Sequence, residues 1–175
     1  RASLPVLENA RVVIWTTTPW TIPGNRAVAY GDDIDYVALA VNEVAEESLV
    51  QKGQTLVLAH ALYENICKEI GVTDFAIRET FKGSALDGSV CVHPFVAQGY
   101  DFDVPVIPGH HVTTEAGTGL VHTAPGHGPD DFDLGRKFDL EIADTINDNA
   151  VYAESVKHFA GTHVFKADGP VMALL

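Results

Sequence analysis

Hydrophobic residues in this chain come in short bursts separated by turn-forming residues, a pattern that predicts many brief strands and only a few helices. Val12-Val13-Ile14 reads as a buried strand, and the β-branched Thr16-Thr17-Thr18 extend it with alternating sides. Pro19 is expected to end its pairing, because proline has no N–H for a ladder. Pro23-Gly24-Asn25 is expected to turn the chain back. Apolar residues at 27–30 and 36–41 flank Asp32-Asp33 and predict a hairpin, whereas 42–51 suits either a helix or a solvated loop. A strand is expected at 54–58. A helix follows at 61–70, with Leu62, Ile66 and Ile70 at four-residue spacing and Gly71 as its stop.

Alternation predicts another strand at 74–81, and 83–104 is turn-rich, with short strands around Val90-Cys91-Val92 and Phe95-Val96. Val104-Pro105-Val106-Ile107-Pro108 suits at best an edge strand. Residues 117–124 form a strand entered through glycines, and 130–138 a helix with Pro129 at its first position and Asp130 and Asp131 in its first turn. Short elements at 156–159 and 171–175 complete the chain. The expected fold class is α+β, a β-barrel-like core of many short strands with a few peripheral short helices.

With 175 residues and no internal repeat, linker or low-complexity tract, the chain is expected to be one domain over 1–175. It starts at Arg1 and stops at Leu175 just after an apolar segment, so we expect a piece of a longer polypeptide. No apolar run approaches a membrane span, and no stretch has a signal-peptide pattern. Cys67 and Cys91 have neither metal nor disulfide spacing. A reducing, cytoplasmic setting and a monomer are expected, with no membrane contact. The 24 acidic residues against 11 basic ones give a net charge of −13, which repels phosphates and argues against broad nucleic-acid binding.

Two stretches carry candidate chemistry. In Trp15-Thr16-Thr17-Thr18-Pro19-Trp20-Thr21, four hydroxyls crowd beside two indoles. Threonine suits strands and tryptophan suits cores, so Trp15 alone needs no functional explanation. Four hydroxyls at one strand end do, since buried hydroxyls require partners and valine would fill a core at less cost. The group reads as a ligand-pocket wall.

The second stretch, residues 117–132, brings the imidazole of His122 near the carboxylate of Asp131 through a proline–glycine loop. Taken singly, Asp131 is a helix-start acid, His122 a satisfied core histidine and His127 an exposed loop histidine. A metal-dependent hydrolase using His122, His127 and Asp131 is the weaker case, because the two histidines are not at helical i, i+4 spacing. No serine lies in a Gly-x-Ser-x-Gly turn and neither cysteine has an activating neighbour, so no covalent nucleophile is expected. A non-catalytic binding module remains an alternative.

These stretches resemble the connective-peptide editing domain of the isoleucyl-tRNA synthetases. Trp15-Thr16-Thr17-Thr18-Pro19-Trp20-Thr21 matches that family's threonine-rich peptide without a gap, and Gly117-Thr118-Gly119-Leu120-Val121-His122-Thr123-Ala124-Pro125-Gly126-His127-Gly128-Pro129-Asp130-Asp131-Phe132 matches its second editing motif. Valyl and leucyl relatives carry an arginine–proline pair where this chain has Thr18-Pro19. The similarity in element order extends over nearly the whole chain.

The resemblance implies a class I synthetase editing domain, inserted in a larger ATP-binding ligase, that hydrolyses misacylated tRNA. Its expected substrate is valyl-tRNA(Ile), with valyl-adenylate a second candidate. Asp131 would hold the α-ammonium, His122 would wall the side-chain pocket, and Trp20 would flank it. Thr16, Thr17, Thr18 and Thr21 would line the site, bind the terminal adenosine and position water. No metal and no cofactor are expected in this domain. The expected partners are the 3′ end of tRNA(Ile) carrying a noncognate amino acid and the remainder of the synthetase. The acidity implies that the domain alone binds tRNA weakly, with a shallow salt dependence.

Overall fold

In the computed structural model, which describes residues 1–175, the chain forms β1 (Arg11–Val12), β2 (Ala27–Tyr30), β3 (Asp35–Val44), β4 (Thr55–Ala59), α1 (Tyr63–Glu69), β5 (Val72–Lys82), β6 (Val90–Val92), β7 (Asp103–Pro108), β8 (Leu120–Thr123), α2 (Pro129–Lys137) and α3 (Asp168–Leu174). The strands order into two four-stranded sheets, β1-β4-β3-β5 and β6-β7-β2-β8, so the fold is α+β with few short helices. No helix is long and apolar enough to cross a membrane. The chain divides into two compact units: Arg1–Trp15, Ala29–Ser89 and Val106–Val121 form one, and Thr16–Val28, Val90–Pro105 and His122–Leu175 the other.

The first unit is built on the first sheet. β3 pairs antiparallel with β4 and with β5, the latter through register irregularities near Ala38 and Val41, while β1 runs parallel to β4. Val37, Leu39 and Val41 alternate with their neighbours along β3, and this face packs with Leu56, Leu58 and the buried Cys67 of α1. Gly119 joins this unit at a tight approach: its φ is +76°, and an added Cβ would lie 2.4 Å from that of Ala59. Only glycine fits there. The Tyr36 hydroxyl donates to the Gly119 carbonyl at 2.6 Å and accepts from the Gly31 amide at 3.0 Å.

The second unit has its own core of Ile22, Phe95, Tyr100, Tyr152, Phe159 and Val171, with Trp20 and Phe102 packed against it. Here β6 pairs antiparallel with β7, Val90 opposite Pro105.

Four expectations are corrected. The strand through Thr16-Thr17-Thr18 does not form: only Arg11–Val12 is strand there, and Pro19–Gly24 is a 3-10 helix with Pro19 in its first turn and Pro23 inside it. Proline's fixed φ suits a helix start, and the Thr16 hydroxyl accepts from the Thr18 amide at 3.0 Å, a local bond that competes with a ladder. β2 and β3 are not a hairpin; they belong to different sheets. β7 is not an edge but lies between β6 and β2, because Val106 still donates to the Ser89 carbonyl (3.0 Å) despite its flanking prolines. Phe95 is not in a strand; it precedes a 3-10 turn at Val96–Gln98.

Candidate active site

The threonine turn and the second motif meet inside the second unit. Thr21 is buried in the 3-10 turn, and its hydroxyl lies 2.9 Å from His122 Nε2 and 3.0 Å from the Thr18 carbonyl. On the other side of the imidazole, Asn25 Nδ2 lies 2.6 Å from His122 Nδ1 and donates to the Ala27 carbonyl at 2.9 Å. An amide nitrogen can only donate, so Nδ1 is the acceptor and Nε2 carries the proton. Nε2–H therefore donates to Thr21, whose hydroxyl donates onward to Thr18. Every hydrogen-bonding atom of the imidazole is engaged.

Burial, helped by the nearby His93 and His127, pushes the His122 pKa down to about 4. The ring is neutral near pH 7 and cannot turn without breaking two bonds. His93, itself buried, is likewise pushed down to about 4 by burial, with the Arg26 guanidinium adding to the effect and its hydrogen bond to the Ile22 carbonyl opposing it.

Asp131 enters from α2. Pro129 occupies the first turn of that helix and Gly128 precedes it, so the carboxylate sits at the helix start, where the dipole favours an anion. Its Oδ2 accepts from the Ala124 amide at 2.8 Å, which ties it to the end of the strand that carries His122. Asp131 is half-buried.

The hydroxyls of Thr16 and Thr18 lie 3.3 Å apart at the exposed mouth of the turn, next to the exposed Thr17. Trp20 is half-buried; its amide donates to Asp168 at 3.3 Å and its carbonyl accepts from the Tyr152 hydroxyl. A shallow hollow of about 380 Å³ beside α2 is lined by Pro125, Phe132, Ile142 and Asp144 among others; neither the threonines nor Asp131 nor His122 lines it.

Sequence reasoning missed Asn25 and weighed His127 only as a ligand in the weaker metal-site alternative. Asn25, in a Pro-Gly-Asn triplet, reads as turn chemistry, yet its 5% exposed side chain fixes the His122 ring. His127 reads as an exposed loop histidine, yet it is half-buried, with Nε2 2.6 Å from the Thr145 hydroxyl. Their roles depend on partners roughly 97 and 18 residues away. No three His, Cys, Asp or Glu side chains converge in a way that could hold a metal ion. Both ring nitrogens of His122 lie within hydrogen-bonding distance of Thr21 and Asn25, and Nε2 of His127 within that of Thr145.

Residues 3–172 match the family described as leucyl-tRNA synthetase, editing domain. Among curated relatives, an isoleucine–tRNA ligase of Gluconobacter oxydans (strain 621H) is 52% identical over 169 residues, covering 97% of this chain and 18% of the relative. One from Pelagibacter ubique (strain HTCC1062) is 39% identical over 175 residues, covering 100% of this chain and 19% of the relative. This chain thus spans less than a fifth of the length of these relatives. Two crystal structures share the fold: GlLeuRS-CP1, with a TM-score of 0.69 at 16% identity, and the P.knowlesi cytosolic leucyl-tRNA synthetase editing domain, with 0.69 at 12%. Each covers 96% of this chain and is itself covered over 82%. The chain belongs to the leucyl-tRNA synthetase editing-domain family.

Proposed function

We propose that this domain proofreads for an isoleucyl-tRNA synthetase by hydrolysing valine from valyl-tRNA(Ile). The isoleucyl assignment draws on the relatives named isoleucine–tRNA ligase and on the threonine motif. Valine differs from isoleucine by one methylene, worth only ~1–3 kcal/mol in a binding pocket, a limit for which isoleucyl-tRNA synthetase is itself the usual illustration. A second site that admits valine and rejects isoleucine supplies the missing discrimination.

The observation that carries this reading is the rigid contact of Thr21 with His122, beside a carboxylate anchored on the same strand end. Asp131 pairs with the α-ammonium of the aminoacyl group through a charge-assisted hydrogen bond. His122, fixed at both nitrogens, walls the side-chain pocket; an extra methyl would have to overpack against a ring that cannot move. Thr16, Thr17 and Thr18 hold the terminal adenosine and orient one water at the ester carbonyl.

Water attacks the carbonyl carbon, the tetrahedral intermediate collapses, and the ribose oxygen leaves with a proton that the water gives up. The ester is already activated, so orientation and oxyanion stabilisation by hydroxyl and amide donors suffice. His122 is a poor proton acceptor, since its one basic nitrogen accepts from Asn25. The proton's route runs through a threonine hydroxyl or the ribose hydroxyl of the tRNA.

The test is deacylation by the full-length synthetase carrying this domain, given valyl-tRNA(Ile) and isoleucyl-tRNA(Ile). Rapid loss of valine with retention of isoleucine is expected. Equal stability of both esters would reject the proposal.

A further inference from the structure

Three histidines grip the Pro19–Gly24 turn. His93 Nε2 bonds the Ile22 carbonyl at 3.1 Å, His122 Nε2 bonds Thr21 at 2.9 Å, and His127 closes on the turn by packing. The His127 ring meets the Trp20 indole edge-on at 5.2 Å. A Cβ added to Gly24 would lie 3.0 Å from His127 Cδ2 and Nε2, so the first motif leaves the second histidine just enough room.

Behind it, Nε2 bonds the buried Thr145 hydroxyl, and an added Cβ on Gly126 would lie 2.7 Å from the Ala143 carbonyl. The loop between β8 and α2 is thereby clasped between the threonine turn and residues 143–145. His122 lies at one end of this loop and Asp131 just beyond the other.

We propose that His127 is a positioning residue of the editing site: its contacts with Trp20, Gly24 and Thr145 set the separation between the threonine hydroxyls and the carboxylate of Asp131. It does not touch substrate. Hydrolysis by an oriented water is sensitive to this separation, since a misplacement of about 1 Å can cost on the order of a hundredfold in rate. The inference rests on the editing reading above.

The test measures deacylation of valyl-tRNA(Ile) by the full-length synthetase in three variants, His127→Ala, His127→Gln and Thr145→Val. His127→Ala is expected to lower kcat by tenfold or more, with KM for the charged tRNA within about twofold. His127→Gln places an amide where Nε2 stands and is expected to restore most of kcat. Thr145→Val is expected to fall in the direction of His127→Ala. A wild-type kcat in His127→Ala would overturn the inference, as would a raised KM at unchanged kcat, which marks direct substrate contact. His127→Gln as slow as His127→Ala would overturn it too. A wild-type enzyme without deacylase activity would remove the editing reading itself, and this inference with it.

Discussion

The Nε2 of His122 lies 2.9 Å from the hydroxyl of Thr21, a residue 101 positions earlier in the chain. Through this bond the threonine-rich turn and the second motif are held together. It also defines the imidazole as a proton donor to Thr21 and an acceptor from Asn25, which makes the ring a fixed wall.

If that wall excludes isoleucine, removing it relaxes selectivity. His122→Ala is expected to cleave isoleucyl-tRNA(Ile) at a rate approaching that for valyl-tRNA(Ile), a gain in the range of 10–200-fold for the cognate ester if about one methylene of discrimination is lost. An unchanged preference for valine, measured by deacylation of both esters, would reject the steric role.

Asn25→Ala leaves His122 Nδ1 and the Ala27 carbonyl without their donor, at a cost of about 1–3 kcal/mol in stability. Chemical denaturation would show that loss. The freed ring is also expected to weaken discrimination against isoleucine, though less than His122→Ala does. A variant with wild-type stability and selectivity would contradict the bonding scheme.

The pH dependence follows from the buried histidines. His93 and His122 have folded-state pKa values near 4, below their ordinary 6.5, so the unfolded chain takes up protons first as pH falls. Their contribution to stability is full above about pH 6.5 and is lost progressively as pH falls to about 4. Denaturation midpoints recorded between pH 8 and pH 4 should be flat and then fall. In the same window the deacylation rate should show no step near 6.5 from His122. Such a step, abolished in His122→Ala, would identify a histidine base.

Glycine in the second motif has a structural duty. Gly119→Ala would place a Cβ 2.4 Å from that of Ala59 at a φ of +76°. A destabilisation of about 1–3 kcal/mol from overpacking, with further strain from the left-handed backbone, is expected. Thermal melting checks it, and an unaltered melting temperature would contradict the close approach.

Much of this was legible in the sequence because the signals are local. The helix at Tyr63–Glu69 announces itself by Leu62, Ile66 and Ile70, and α2 by Pro129 with Asp130 and Asp131 behind it. The strand at Thr55–Ala59 follows from its apolar run and that at Val72–Lys82 from its alternation. What the pattern misread depends on distant partners. Residues 27–30 and 36–41 resemble a hairpin, but burial of all four residues of β2 reflects its place between β7 and β8. Thr16-Thr17-Thr18 have strand propensity, yet two prolines and an hydroxyl–amide bond set a 3-10 turn instead. The family resemblance implied Thr21 and His122 in one site; their direct contact, the Asn25 bond to His122 and the packing of His127 on Trp20 needed coordinates.

Asp131→Ala removes the group assigned to the ammonium. Loss of most valyl-tRNA deacylation is expected, by a factor of about 10²–10³ if the carboxylate supplies a charge-assisted contact of ordinary strength together with substrate orientation. Retention of the wild-type rate would count directly against the anchoring role.

The most direct measurement is a crystal structure with an amide-linked, non-hydrolysable valyl-adenosine. The account predicts the valyl ammonium within hydrogen-bonding distance of the Asp131 carboxylate, the isopropyl group against the His122 ring, and the adenosine among Thr16, Thr17 and Thr18. An analogue bound with its ammonium away from Asp131, or one that binds elsewhere on the domain, would contradict it.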